Sequence, residues 1–494
     1  MKKMDHSKTI RNIAVVLVIS AITAVLAYVL RIYVARTYSV EDYGLLYAML
    51  AFFSFVIIIV DAGLFQSVIK KVAEYRARKD EQSIKNLFYT AFIIQTIFAV
   101  LLAVILILFS NYINIHFFHN TNVLLFYVLI FWILTYPLSY FVIAYMLGYE
   151  KTTWWAIAEL IKIIGILLIS IIAYQFTPNI IAVGIGYALT NILVGVIFFI
   201  INIKFFIPLK FRFKFRLIFP ELFTYGVYII IGSFASIILA QTDTLMITYL
   251  LGLKEAGIYQ AAVPLASILV TVITPITAVL LSRMSNLWAQ KKKREMETLF
   301  VLFQKYILIF ILPVTLILAL FSNLVITVLF SSQYVAATNP LILLSFAFMI
   351  SAMSAILMYT LISIGEAKKV MYIVVFGAIV NVIGCYFLIH VFRITGAAIS
   401  TLIASIIMFA MLRYHLGKKI AIDVEYRTLF KTIFATTVFI ITIYFCKRVI
   451  TANYLIEAAL CILIAGALYI LTLFITGVVT KEDVLFVKKI ARKS

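Results

Sequence analysis

The chain has 494 residues, 65% of them hydrophobic and only 12% charged, with 41 Lys and Arg against 20 Asp and Glu. A water-soluble protein of this length cannot hide that much apolar surface, so the composition excludes a soluble enzyme and leaves the bilayer as the solvent. The formal net charge of +21 would suit nucleic acid, but the basic residues are placed as a membrane protein places them, toward anionic lipid headgroups.

A hydrocarbon core roughly 30 Å thick takes about 20 apolar residues per helical span. Such runs recur at 13–35, 43–65, 87–109, 123–147, 155–174, 181–203, 221–250, 256–280, 298–321, 337–363, 370–390, 396–414, 432–449 and 455–477. The expected fold class is an all-α polytopic membrane protein of about 14 transmembrane helices. The opening MKKMDHSKTIRNIAVVLVISAITAVL has a longer apolar run than a signal peptide and leads into the other spans, so it reads as a retained first helix.

Ionisable side chains within spans are expensive and mark interior or wet surfaces. In the first span, Arg31 lies about 30 Å along the helix from Arg11, near the far boundary. It either snorkels to headgroups or faces an internal cavity and binds phosphate. Arg36, farther out, is a snorkelling residue or a second phosphate contact. Asp61, in IIVDAGLF, closes the second span as a cap, a loop anchor or a transport group. His116 and His119, and later His390, read as solvated. In the fifth span Glu159 and Lys162 share a helix face at i and i+3. They form either an intrahelical salt bridge or a charge pair that opens to a phosphate or relays a proton. The seventh span carries Gln241, Thr242, Asp243 and Thr244 in succession. Four adjacent polar residues go right round a helix, so some meet protein or water. Asp243 is a candidate counter-ion for Arg31, a coupling-ion site, or one part of a helix-packing network with Gln241. Pro137, Pro264, Pro275 and Pro313 fall in or near spans and would kink them. Cys385, Cys446 and Cys461 sit in apolar runs and suggest neither a disulfide framework nor a metal site.

The basic residues divide sharply between alternate loops. All but eight of the 41 Lys and Arg lie in KKVAEYRARKDEQSIK, KFFIPLKFRFKFR, QKKKREME, EAKK, GKKIAIDVEYRTLFK, the two termini and the other loops of that same side. The exceptions are Arg31, Arg36, Lys162, Lys254, Lys305, Arg393, Lys447 and Arg448. Short basic loops remain in the cytoplasm, so both termini are expected there.

The chain repeats itself. SVEDYGLLYAML (39–50) returns as GLKEAGIYQAAV (252–263), with Gly44 and Gly257 standing 213 positions apart. IKNLF returns as METLF, with Phe88 and Phe300 separated by 212, and LGYEKT returns as IGEAKK, with Gly148 and Gly365 separated by 217. About six spans per copy bring the chain back to the same face. The copies would therefore form two parallel-related six-helix bundles about an axis along the membrane normal, with a substrate path between them. The expected organisation is an N-lobe of spans one to six (1–206), a C-lobe of spans seven to twelve (207–416), and two extra helices with a cytoplasmic tail (417–494).

These features resemble the multidrug/oligosaccharidyl-lipid/polysaccharide exporter superfamily. SVEDYG resembles the start of the second span in polysaccharide flippases of the Wzx type. GEAKKVMYIVVFGAIVNVIGCYFLIHVFRITGAAISTLIA (365–404), with Asn381, resembles the C-lobe signature of that group. LRIYVARTYS followed by GLFQSVIKKVAEYRARKD is similar to the first two helices of lipid II flippases, where the arginine matching Arg31 lies in a cationic cavity that receives lipid pyrophosphate. The drug-exporting branch usually carries an Asp in the first helix for ion coupling. None stands here.

The resemblance implies a flippase that moves a polyprenyl or dolichyl (pyro)phosphate-linked oligosaccharide to the outer leaflet by alternating access. Arg31, Lys162 and Arg36 would meet the headgroup, and Glu159, Asp243, Gln241 and Asp61 would supply cavity charge or coupling. The expected partners are the lipid-linked oligosaccharide, membrane lipids and glycosyltransferases or a polymerase of the same pathway, with no nucleic acid and the chain a monomer. No cofactor, metal or enzymatic activity is expected. There is no GxxxxGK[ST] loop, no HExxH and no Cys/His cluster, and the short outer loops do not suit a membrane-embedded transferase or polymerase. The alternative is an ion-coupled exporter of small amphipathic compounds, for which Asp243 is the candidate coupling carboxylate.

Overall fold

The structure, a computed structural model, describes residues 6–119, 123–201, 234–420, 426–449 and 454–479. Among them there are helices and turns and no strands. The helices in chain order are α1 (His6–Thr37), α2 (Val40–Asp61), α3 (Leu64–Ala77), α4 (Glu81–Leu108), α5 (Ser110–His116), α6 (Leu124–Gly148), α7 (Thr152–Phe176) and α8 (Ile181–Ile201), then α9 (Phe234–Leu251). They continue with α10 (Leu253–Ala289), α11 (Lys293–Leu320), α12 (Ser322–Leu329), α13 (Thr338–Ser363), α14 (Ala367–Phe392), α15 (Ile394–Gly417), α16 (Tyr426–Val449) and α17 (Tyr454–Ile475). Among the described residues, fourteen helices are long and apolar enough to cross a membrane, one for each expected run. Several extend past the hydrocarbon limits into charged turns, α4 starting at Glu81 and α10 reaching Ala289.

The chain divides into two compact units, Met1–Gln260 and Ala261–Ser494. The expected lobe boundary at 206 lies outside the described residues. In the first unit α6, α7 and α8 pack closely around small residues. Gly186 of α8 leaves no room for a methyl beside the Ile166 carbonyl of α7, which a Cβ would approach to 2.8 Å, the type of close approach that holds helices together in lipid. Val72, Phe88, Phe141, Tyr145, Val194 and Phe198 belong to its core. In the second unit the paired α16 and α17 form a core with the end of α11 through Leu316, Phe439 and Tyr469. The Tyr469 hydroxyl donates to the Ile309 carbonyl at 3.0 Å, and the Lys447 ammonium donates to the Leu320 carbonyl at the end of α11 at 3.2 Å.

The repeat seen in the sequence is a repeat of structure. Helices α4 and α11 each have 28 residues and start 212 positions apart. Each follows a turn with a left-handed lysine, Lys79 or Lys291, both at φ 58°. Each is followed by a short helix opened by a serine whose hydroxyl donates three residues back, Ser110 to Ile107 at 2.7 Å and Ser322 to Ala319 at 3.0 Å. Phe88 and Phe300 are both buried. The pairing of Gly148 with Gly365 is corrected. The left-handed residue after α6 is Glu150, and the one after α13 is Gly365. Matching bonds, Lys151 N to Met146 O at 2.8 Å and Glu366 N to Leu361 O at 3.0 Å, set the true spacing at 215. Gly148 instead lets α6 lie against Val72.

One difference separates the copies. The expected span 43–65 is broken, since Ala62 (φ 45°) and Gly63 (φ 69°) are both left-handed and end α2 before α3 begins. A non-glycine residue there carries strain. The matching α10 runs unbroken through 37 residues, with Pro275 opposite the break.

Candidate functional site

Ser39 opens α2 by accepting the Asp42 amide at 3.0 Å, and Glu41 and Asp42 in the first turn complement the helix dipole. One turn on, Gly44 meets Gly257 of α10. A methyl at Gly44 would lie 2.8 Å from Gly257 N and in contact with Leu253 O, and one at Gly257 would lie 3.1 Å from Gly44 N and in contact with Val40 O. Leu253 and Val40 are 213 apart, as are the glycines. The contact is therefore reciprocal, each segment offering the same atoms to the other, as across a two-fold axis. Both helices begin at this contact, so both start from the same face, as a parallel repeat requires.

Beside it, Arg31 of α1 turns inward rather than snorkelling. Its guanidinium lies 4.1 Å over the Tyr47 ring and its Nη1 donates to Gln260 Oε1 at 3.4 Å. Tyr43 and Tyr187 flank it. The Gln260 amide nitrogen donates to Thr244 Oγ1 at 2.6 Å, and the Tyr43 hydroxyl donates to the Gln260 carbonyl at 3.3 Å. The counter-ion pair of Arg31 with Asp243 is not formed. Instead the buried Asp243 carboxylate accepts the Tyr259 hydroxyl at 2.7 Å. Adjacent residues point about 100° apart on a helix, so Thr244 faces the arginine network while Asp243 faces away along α10.

A second group lies elsewhere in the same unit. Asp61 Oδ1 accepts the Phe65 amide at 3.1 Å and the Gln95 side-chain amide at 3.1 Å. It thus caps α3 across the helix break, as its position at a span end suggested. The rings of Tyr136 and Tyr140 stack at 4.0 Å, within electrostatic range of Asp61 and Glu159. The expected salt bridge between Glu159 and Lys162 is absent among the described residues. Lys162 is half-buried, on the same face of α7 as the buried Ala158, Ile166 and Ser170. The edge contact of Tyr38 with Tyr174 at 5.6 Å sets α1 beside α7. By helical rise from that contact, Lys162 lies about 8 Å deeper than Arg31. Gln241 is half-buried, Arg36 is exposed in the last turn of α1, and His116, His119 and His390 are exposed. Among the described residues no three His, Cys, Asp or Glu side chains are placed to share a metal ion.

Sequence reasoning missed Gln260, Tyr43, Tyr47, Tyr187 and Gln95. The signal for Gln260 was present, because it stands at the position of Tyr47 in the repeat.

The polysaccharide biosynthesis protein family model matches residues 9–288. The chain belongs to that family. The MatE model matches residues 229–387. The chain is also 27% identical to an uncharacterized membrane protein of Methanocaldococcus jannaschii, over 94% of this chain and 95% of that one. Among solved structures it is similar to the lipid II flippase MurJ in an inward closed conformation, with a TM-score of 0.77, 16% identity, and 92% of this chain and 97% of that one covered. An inward-facing multidrug resistance MATE family transporter of the MOP superfamily gives 0.69 at 13% identity over 82% of this chain and 98% of its own. A MOP superfamily transporter from Pyrococcus furiosus gives 0.56 at 14% identity over 82% and 94%. These likenesses establish the MOP fold of a multi-pass membrane protein, in agreement with the superfamily expected from the sequence.

Proposed function

We propose that this protein is a flippase that carries a polyprenyl or dolichyl (pyro)phosphate-linked oligosaccharide from the cytoplasmic to the outer leaflet. The observation that carries the reading is a pair of cations in one helical unit, Arg31 turned inward and Lys162 half-buried, with no carboxylate partner among the described residues. An unpaired charge in a membrane interior is costly, and an anionic headgroup removes that cost. A guanidinium suits phosphate geometry and an ammonium adds a second point charge at another depth. The family and the MurJ-like fold support the reading.

On this reading the activity is translocation by alternating access, not bond chemistry. The protein acts as a monomer in the cell membrane with both termini in the cytoplasm, beside the glycosyltransferases or polymerase that make and use the glycan. Arg36 would guide the headgroup near the outer boundary. Asp61, Glu159, Gln241 and Asp243 would carry coupling charge or polarity.

A second reading, an ion-coupled exporter of small amphipathic compounds, draws on the buried Asp243 carboxylate and the MATE-like fold. The experiment is depletion in the native host with lipid-linked oligosaccharide followed by leaflet. Intact precursor accumulating on the cytoplasmic face is expected. Normal leaflets with raised drug sensitivity would replace the flippase with the exporter.

A further inference from the structure

We propose that Arg31 is a latch as well as a ligand: its guanidinium, carried by α1, bridges the Tyr47 ring of α2 and Gln260 of α10, and a phosphate headgroup opens that bridge by drawing the N–H groups away from Gln260. The proposal rests on the flippase reading and adds how substrate arrival is sensed. Gln260 acts through Arg31 and is a positioning residue.

Three observations carry it. The first is that at Gly44 and Gly257 the atoms that meet are backbone on both sides. Such a surface can part without unthreading anything, but it contributes little cohesion of its own. The second is that polar contacts beside it converge on α10, from Tyr43 of α2 and from Arg31 of α1, whose guanidinium also rests on Tyr47 of α2. Gln260 of α10 receives Arg31 Nη1 at 3.4 Å on its amide oxygen and the Tyr43 hydroxyl at 3.3 Å on its carbonyl. The Arg31 bond is long for a charged donor to a neutral acceptor. The third is that the guanidinium also lies over the Tyr47 face, a contact which a cation can keep while its hydrogen bonds are redirected. A phosphate offers charged oxygens in place of one neutral amide, so competition for the same N–H groups favours the phosphate. Binding therefore weakens the bridge that runs from Tyr47 of α2 through the Arg31 guanidinium to Gln260 of α10. By the charge distribution this contact is at the outer side, where a headgroup must leave.

The test uses the full chain in proteoliposomes. Cys385, Cys446 and Cys461 are replaced by Ala, and spin labels are placed at Glu41 and Lys254. These exposed residues are repeat mates flanking the glycine contact. Electron–electron distances are measured against a polyprenyl pyrophosphate, against inorganic pyrophosphate and against the phosphate-free polyprenol, with binding followed separately by tryptophan fluorescence.

The expected result is a shift to longer distances with polyprenyl pyrophosphate and none with polyprenol. Gln260→Leu, lacking the acceptor, should shift at about tenfold lower ligand, and Gln260→Glu, which pairs with Arg31 as an ion, at about tenfold higher, in the usual range of coupling between sites. A shift with inorganic pyrophosphate as well would assign the trigger to the phosphate alone and supports the latch. Binding without a distance change, or equal responses of the two Gln260 variants, overturns the latch and leaves the flippase reading standing. Failure of polyprenyl pyrophosphate to bind overturns both.

Discussion

Tyr47 and Gln260 occupy the same position in the two copies of one repeat, and both hold the same guanidinium. Arg31 lies 4.1 Å over the ring of the first and 3.4 Å from the amide oxygen of the second. The mate of Arg31, Thr244, bonds Gln260 in turn at 2.6 Å. The local symmetry is that of positions, and the chemistry at those positions has diverged into one charged copy and one neutral copy.

Arg31→Ala should abolish transport in protein that still reaches the membrane. Loss of a partly buried charged contact costs about 2–5 kcal/mol, a thirty-fold or greater fall in affinity. Arg31→Lys should retain part of it, since a point charge remains while the planar fork is lost. The measurement is leaflet-resolved flipping by each variant at matched membrane abundance. Full activity of the alanine protein would remove Arg31 from the site.

Gly44→Ala and Gly257→Ala each insert a methyl into opposing backbone, which cannot yield as a side-chain end can. Each should lower thermal stability by about 1–3 kcal/mol, the usual cost of overpacking. Gly466→Ala is the control. That glycine lies inside α17 with nothing near its missing methyl, so the substitution should be neutral or stabilising by up to about 1 kcal/mol. Thermal unfolding in detergent distinguishes them.

Asp61→Ala should cost about 1 kcal/mol, the usual worth of a helix cap, while Asp61→Asn keeps an acceptor for the Phe65 amide and should cost less. Stability and transport measured together separate two roles. Asn with normal stability and no transport would assign Asp61 to coupling, and Asn normal in both would leave it a cap.

Glu366, in the turn between α13 and α14, bonds Lys419 at 2.9 Å and Lys369 at 3.0 Å. Lys419 and then Lys369 hold its carboxyl below the usual glutamate range. A depressed folded-state pKa stabilises the protein above the unfolded pKa, and that contribution fades as pH falls through the folded value. Glu366→Gln should therefore unfold earlier than the parent near neutral pH, with the difference closing in acid. A difference that persisted below the carboxylate range would point to packing instead.

Hydropathy made all fourteen spans legible, because lipid leaves a chain few ways to satisfy its backbone. The repeat was legible at Gly44 and Gly257 because only glycine permits that approach. It misled at Gly148 and Gly365, where identical residues serve a helix contact in one copy and a left-handed turn in the other. The break at Ala62 carried no residue signal, since alanine is an ordinary helix former and its left-handed backbone is imposed by tertiary structure. The pairing of Asp243 with Arg31 failed for lack of azimuth. A string of four polar residues does not say which of them faces a helix from another part of the chain. For Glu159 and Lys162 the sequence left a salt bridge and a separate charge both open, because i and i+3 spacing permits a salt bridge without requiring it.

The two copies have weakened the same point of the same helix by unlike means. At Ala62 and Gly63 the first copy has a swivel, where the chain abandons helical geometry and Asp61 secures the loose end. At Pro275 the second has an unbroken helix that is one backbone hydrogen bond short. A joint between two helices leaves each arm to its own packing, whereas a continuous helix keeps its two ends in one register.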